Sequence, residues 1–180
     1  MVAPVNFLFV CTGNSARSIL GEALATILSK GRLRGYSAGS HPGGKVNPFA
    51  VELCAEMKYP QENLRSKSWD EFGAADAPVM DLIVTVCDSA AGEACPVWLG
   101  HPATAHWGLP DPAAVTGGDA DKRAAFRAIR DAMAKRIDLL LALPIESMSD
   151  AERRIEMRRI GDTAVLDPET KKLFSANATL

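Results

Sequence analysis

The chain has 180 residues, 47% of them hydrophobic and 23% charged, with a formal net charge of −2. That length and apolar fraction suit one globular domain with a substantial core, and the near balance of charge gives no electrostatic reason to expect nucleic acid or a membrane surface as partner. No apolar run approaches the ~20 residues needed to span a bilayer, and the N-terminus lacks a basic segment followed by a signal-type core, so the expected compartment is the cytoplasm.

Val5 to Val10 is an almost unbroken apolar run, as a parallel strand buried on both faces should be. From Ile19 the apolar positions fall at Ile19/Leu20, Ala23/Leu24 and Ile27/Leu28, which is helical spacing. Leu33 to Ser40 is a second strand, ahead of the turn-rich His41-Pro42-Gly43-Gly44. A helix starts at Asn47-Pro48, an N-cap with proline in the first helical position, and its apolar face takes Cys54 as a core thiol. Leu64 to Phe72 is a polar loop with a short helical turn from Ser68. Asp81 to Cys87 is a third buried strand, Asp88 to Pro102 a loop, and Ala103 to Leu109 a short fourth strand ending at Pro110-Asp111-Pro112. A long helix follows from about residue 121 to 141. This order predicts an α/β fold: a flavodoxin-like, doubly wound parallel four-stranded sheet in the order 2-1-3-4, with helices on both faces. Residues 1–143 form the main domain and 144–180 a C-terminal extension. In the extension, Ser149 to Glu152 is a capping box opening a short helix, closed by Gly161 and solvated along a basic face, and the final stretch reads as a flexible tail.

Chemistry concentrates between the first strand and the first helix, in Cys11-Thr12-Gly13-Asn14-Ser15-Ala16-Arg17-Ser18. A loop joining a strand's carboxyl end to a helix's amino end gathers backbone N–H groups into one hollow, where the helix dipole adds positive potential. Gly13 lets the loop curl, Asn14 tolerates a left-handed conformation, and Arg17 supplies a planar donor fork for a tetrahedral oxyanion. Cys11 then stands at the rim of an oxyanion cradle in a field that favours its nucleophilic thiolate. In the predicted strand order, Cys87 and Asp111 end on the same carboxyl edge of the sheet as Cys11. Two more cysteines there, Cys87 and Cys95, point to electron transfer over simple hydrolysis, and the small residues between them leave enough chain for the pair to close. No Cys-x2-Cys or His-x3-His pair suggests structural zinc.

The run Val10-Cys-Thr-Gly-Asn-Ser-Ala-Arg-Ser18 followed by Glu22 resembles the low-molecular-weight protein tyrosine phosphatase superfamily, especially its arsenate reductase branch, over residues 5–143. The resemblance implies arsenate, with phosphate or sulfate as mimics, bound by Thr12, Gly13, Asn14, Ser15, Ala16 and Arg17. It implies Cys11 as nucleophile, Ser18 as its hydrogen-bond partner, Asp111 as general acid, and Cys87 and Cys95 as a resolving pair. The electrons would come from thioredoxin, or from glutathione and glutaredoxin. No tightly bound cofactor is expected, though a potassium ion on Asn14, Glu22, Ser37 and Asp70 is implied. Many relatives carry a second cysteine inside the loop where this chain has Ala16, and the relay does not need it. Two other readings are a small phosphatase using Cys11, Arg17 and Asp111, and a non-catalytic regulator that binds an oxyanion or arsenite.

Overall fold

Four parallel strands in the order β2-β1-β3-β4 form the centre of the protein, as the sequence predicts. The computed structural model describes residues 3–93 and 98–175. The strands are β1 (Val5–Cys11), β2 (Leu33–Gly39), β3 (Leu82–Thr85) and β4 (Ala103–His106). Around them lie α1 (Arg17–Leu28), α2 (Pro48–Glu56), α3 (Asp88–Ala91), α4 (Asp119–Leu141), α5 (Asp150–Asp162) and α6 (Pro168–Ser175). Asn47 caps α2 as expected, its side chain accepting from Phe49 N at 2.9 Å. Among the described residues no helix is long and apolar enough to cross a membrane.

Alternation along β1 divides its side chains between two layers. On one face α1 rides so close that a Cβ on Gly21 would stand 2.4 Å from the Phe9 ring. Phe7 and Phe9 share that layer with Trp107, whose ring meets Phe7 edge-on at 5.5 Å. On the other face Tyr36, in register with Leu8, packs edge-on against Phe72 of a 3-10 turn over Trp69–Phe72. That turn is the one expected from Ser68.

The structure departs from expectation at three places. Residues 88–91, read as loop, form α3, because Cys87 acts as its N-cap and accepts from Ala90 N through sulfur at 3.4 Å. Gly161 does not end α5 as a C-cap. It lies one residue inside the helix, where a Cβ would stand 2.4 Å from the His106 carbonyl oxygen. The glycine is there for close approach to β4. Accordingly α5 is not a solvated helix: Met157 and Ile160 are fully buried, and the Met157 carbonyl accepts from Trp107 Nε1 at 2.8 Å. The last stretch also forms a helix, α6, and residues 176–180 lie outside the described residues.

Candidate active site

The loop from Cys11 to Arg17 is wrapped on its outside by the segment that follows β2. The carbonyls of Cys11, Thr12, Gly13 and Ser15 accept from the backbone N–H groups of Ser40, His41, Gly43 and Asn47 at 2.8–3.1 Å. A planar trans peptide points its N–H opposite to its carbonyl. Holding these four carbonyls outward therefore turns the N–H groups of Thr12, Gly13, Asn14 and Ala16 toward the hollow. Asn14 adopts φ +45°, the left-handed conformation its residue type tolerates. Gly39 is required beside it, since a Cβ there would stand 2.5 Å from the Thr12 carbonyl oxygen.

Two groups hold the Cys11 sulfur. Asn14 N–H donates to Sγ at 3.1 Å, and Ser18 Oγ lies 2.8 Å away. The Ser18 hydroxyl also accepts from Asn14 Nδ2 at 2.9 Å, which leaves its own proton free to point at sulfur. The orientation of the Asn14 amide is fixed from the far side, because its Oδ1 accepts from Lys67 N–H at 2.9 Å. A backbone N–H can only donate, so the amide NH2 must face Ser18. Cys11, Asn14 and Ser18 are all buried. The Asn14 N–H and the Ser18 hydroxyl thus converge on one sulfur and fix its position.

Arg17, in the first turn of α1, donates through Nη1 to the Leu109 carbonyl at 2.9 Å, and its Nη2 lies 3.7 Å from Asp111 Oδ2. The other Asp111 oxygen accepts from Ala113 N–H at 3.0 Å, so the carboxyl is aimed by the 3-10 turn (Pro112–Ala114) that it caps. Cys87 stands at the same rim: its Sγ lies 3.5 Å from Oγ1 of Thr12, the residue next to Cys11. The structure thus brings Cys11, Ser18, Arg17, Cys87 and Asp111 to one edge of the sheet. Cys95 lies outside the described residues. Cys54 is remote in character, fully buried on α2, with its thiol pushed up to about 12 by burial and by the nearby Glu22 charge.

Of the four residues singled out for potassium, Glu22 and Ser37 do meet, and Ser37 Oγ donates to Glu22 Oε2. Beside this pair sits Lys67 Nζ, 3.3 Å from Glu22 Oε2 and 3.3 Å from Ser37 Oγ. Tyr59 OH donates to the other Glu22 oxygen at 2.7 Å, and burial raises the tyrosine's ionisation well above its ordinary value, so it stays a donor. Asp70 instead accepts from Ser68 Oγ at 3.0 Å within the 3-10 turn. Among the described residues no three His, Cys, Asp or Glu side chains gather as a metal-holding group.

Sequence reasoning missed Lys67, Tyr59 and a further chain beside Cys87. There His106 Nε2 lies 2.9 Å from Asp88 Oδ1, and its Nδ1 lies 2.8 Å from Thr85 Oγ1. These contacts tie the start of α3 to the end of β4. A histidine one residue before a tryptophan at a strand end carries no pattern that would have revealed this.

A model of the low molecular weight phosphotyrosine protein phosphatase family matches residues 6–152. The chain belongs to this family. Within it, the arsenate reductase of Halalkalibacterium halodurans is 38% identical over 129 residues, covering 72% of this chain and 89% of the relative. The arsenate reductase of Bacillus subtilis is 36% identical over the same shares. Among solved structures, an arsenate reductase from Archaeoglobus fulgidus superposes with a TM-score of 0.56 at 28% identity, covering 76% of this chain and 99% of that one. The phosphatase family match stops at residue 152, so most of α5 and all of α6 lie beyond it.

Proposed function

We propose that this protein reduces arsenate to arsenite through a three-cysteine relay. The observation that carries the reading is the second thiol at the cradle: Cys87 Sγ, 3.5 Å from the side chain next to the nucleophile. Phosphate-ester hydrolysis needs one thiolate and water, which gives a second sulfur there no chemical role. The curated arsenate reductases most similar to the chain support the same reaction.

The chemistry follows from the geometry. The inward N–H groups and Arg17 hold the oxyanion, and Arg17 shifts part of its hydrogen bonding from Leu109 to the substrate. Cys11 thiolate attacks arsenic while Asp111 gives a proton to the departing oxygen, which leaves as water. Cys87 thiolate then attacks Cys11 Sγ. The S–As bond breaks with its electron pair going to arsenic, which leaves as arsenite, and a Cys11–Cys87 disulfide forms. Cys95 next attacks Cys87 Sγ, freeing the Cys11 thiolate and moving the disulfide to the 87–95 segment, where an external dithiol reduces it. Because the relay ends in a protein disulfide, thioredoxin is the natural donor, with glutathione and glutaredoxin as the other route. Such a cycle needs a compartment where thiols are kept reduced, which supports a cytoplasmic location.

The test mixes protein, arsenate, thioredoxin, thioredoxin reductase and NADPH and follows NADPH loss. Multiple turnover is expected for the wild type and for none of Cys11→Ser, Cys87→Ser and Cys95→Ser. No NADPH loss in the wild type, together with efficient hydrolysis of a phosphate ester that Cys87→Ser retains, would establish the phosphatase instead. Tight arsenite binding with neither activity would establish the regulator.

A further inference from the structure

The pocket that the resemblance gives to potassium already holds a positive charge belonging to the chain. Lys67 Nζ lies 3.3 Å from each of three oxygens, Glu22 Oε2, Ser37 Oγ and the Arg65 carbonyl. Its side chain and that of Glu22 are each only 7% exposed. The amide oxygen of Asn14, which a metal ion would use, already accepts from Lys67 N–H. One carboxylate and one ammonium leave the pocket neutral, and a second cation in this buried space would go uncompensated. The residues present therefore do not fit a potassium ion.

We infer that the Lys67 ammonium permanently takes the place of a metal ion beside the nucleophile loop, making Lys67 the positioning residue of a potassium-independent enzyme. The connection to the reacting sulfur is continuous. Lys67 N–H holds Asn14 Oδ1, Asn14 Nδ2 holds Ser18 Oγ, and Ser18 Oγ meets Cys11 Sγ. On the other side the Lys67 carbonyl accepts from Gly39 N–H at 2.9 Å, and the neighbouring Ser66 Oγ donates to the Gly13 carbonyl at 3.1 Å. Residues 65–68 thus strap the loop from outside, and the ammonium anchors the strap to α1 through Glu22. The catalytic consequence rests on arsenate reduction as proposed above; the occupancy of the pocket does not.

The experiment compares thermal unfolding in potassium chloride and in choline chloride at equal ionic strength, with no arsenate present. Wild-type Tm is expected to be the same in both salts. Lys67→Ser strands the Glu22 carboxylate and should melt lower in choline, with potassium recovering part of the loss by binding the folded state. Lys67→Ser/Glu22→Gln, which keeps the pocket neutral, should fold and show no potassium response. A wild-type Tm that rises specifically with potassium overturns the inference, as does a double variant that gains as much from potassium as the single one. In turnover assays kcat of Lys67→Ser should fall roughly 10–100-fold in choline, as for other outer-layer positioning groups, and recover in potassium. If no arsenate is turned over in any salt while the melting pattern holds, the function fails and the built-in cation stands.

Discussion

Asn14 is the residue on which the cradle turns. It supplies a backbone donor to sulfur, an amide donor to Ser18, an acceptor to Lys67 N–H and the positive φ that bends the loop. Asn14→Ala keeps only the first of these. It leaves Lys67 N–H buried without a partner, at a cost of about 1–3 kcal/mol, and forces alanine into the left-handed region, at about 1–2 kcal/mol more. Urea denaturation should therefore show a loss of roughly 2–5 kcal/mol. Asn14→Gly removes the backbone penalty and should be the milder change. Equal losses for the two would mean that φ contributes nothing here. At this scale the sequence was readable for Cys11, Asn14 and Arg17, because Gly13 and Asn14 between an apolar strand and a helix announce a tight turn. Lys67 was not readable. A lysine between two serines in a polar loop looks solvated, and only the fold of residues 65–68 against α1 buries it.

Among the elements, the long helix α4 is held at its C-terminal end by Arg32, from the turn before β2. Its guanidinium donates to the Leu141 and Leu143 carbonyls at 2.6 and 2.8 Å and to both Glu146 oxygens at 2.6 and 2.8 Å. The carbonyls that a helix end leaves open are satisfied by a cation, which also suits the dipole. The Arg32 hydrogen bonds hold the Glu146 carboxyl down to about 2, from an ordinary value of 4.5. The folded state thus prefers Glu146 ionised. This stabilisation is complete above pH 4.5 and is lost as the pH falls toward 2. Since both side chains are partly exposed, about 1 kcal/mol is the expected size. Chemical denaturation from pH 5 to pH 2 should show wild type losing that much more stability than Glu146→Gln; parallel curves would remove the effect. The strands and helices of the main domain were legible because long apolar periods fix them. The helix α3 was missed because its cap is a cysteine sulfur, which sequence rules do not count among capping groups.

For the molecule as a whole, the extension is part of the fold. Gly161 touches the His106 carbonyl, Trp107 hands its indole N–H to α5, and buried Arg136 on α4 donates to the Gly108 carbonyl at 3.1 Å and the Gly161 carbonyl at 2.9 Å. An exposed helical glycine changed to alanine gains about 1 kcal/mol of stability. Gly161→Ala should instead lose roughly 1–3 kcal/mol, because the methyl group meets backbone that cannot move aside. A rise in Tm would show that α5 does not press on β4. Gly161 misled the sequence reading because a glycine near a helix end is most often a cap, and only the distance to β4 reveals a packing role.

Gly108 and Leu109 are successive residues, and their carbonyls are gripped by different arginines: the first by Arg136, which also holds the extension, the second by Arg17 in the cradle. Asp111 hangs two residues further along the same short cable. On the arsenate reduction proposed above, in which Asp111 delivers the proton, slackening the far anchor would shift that carboxyl, so damage at the chain's periphery would surface as a chemical fault.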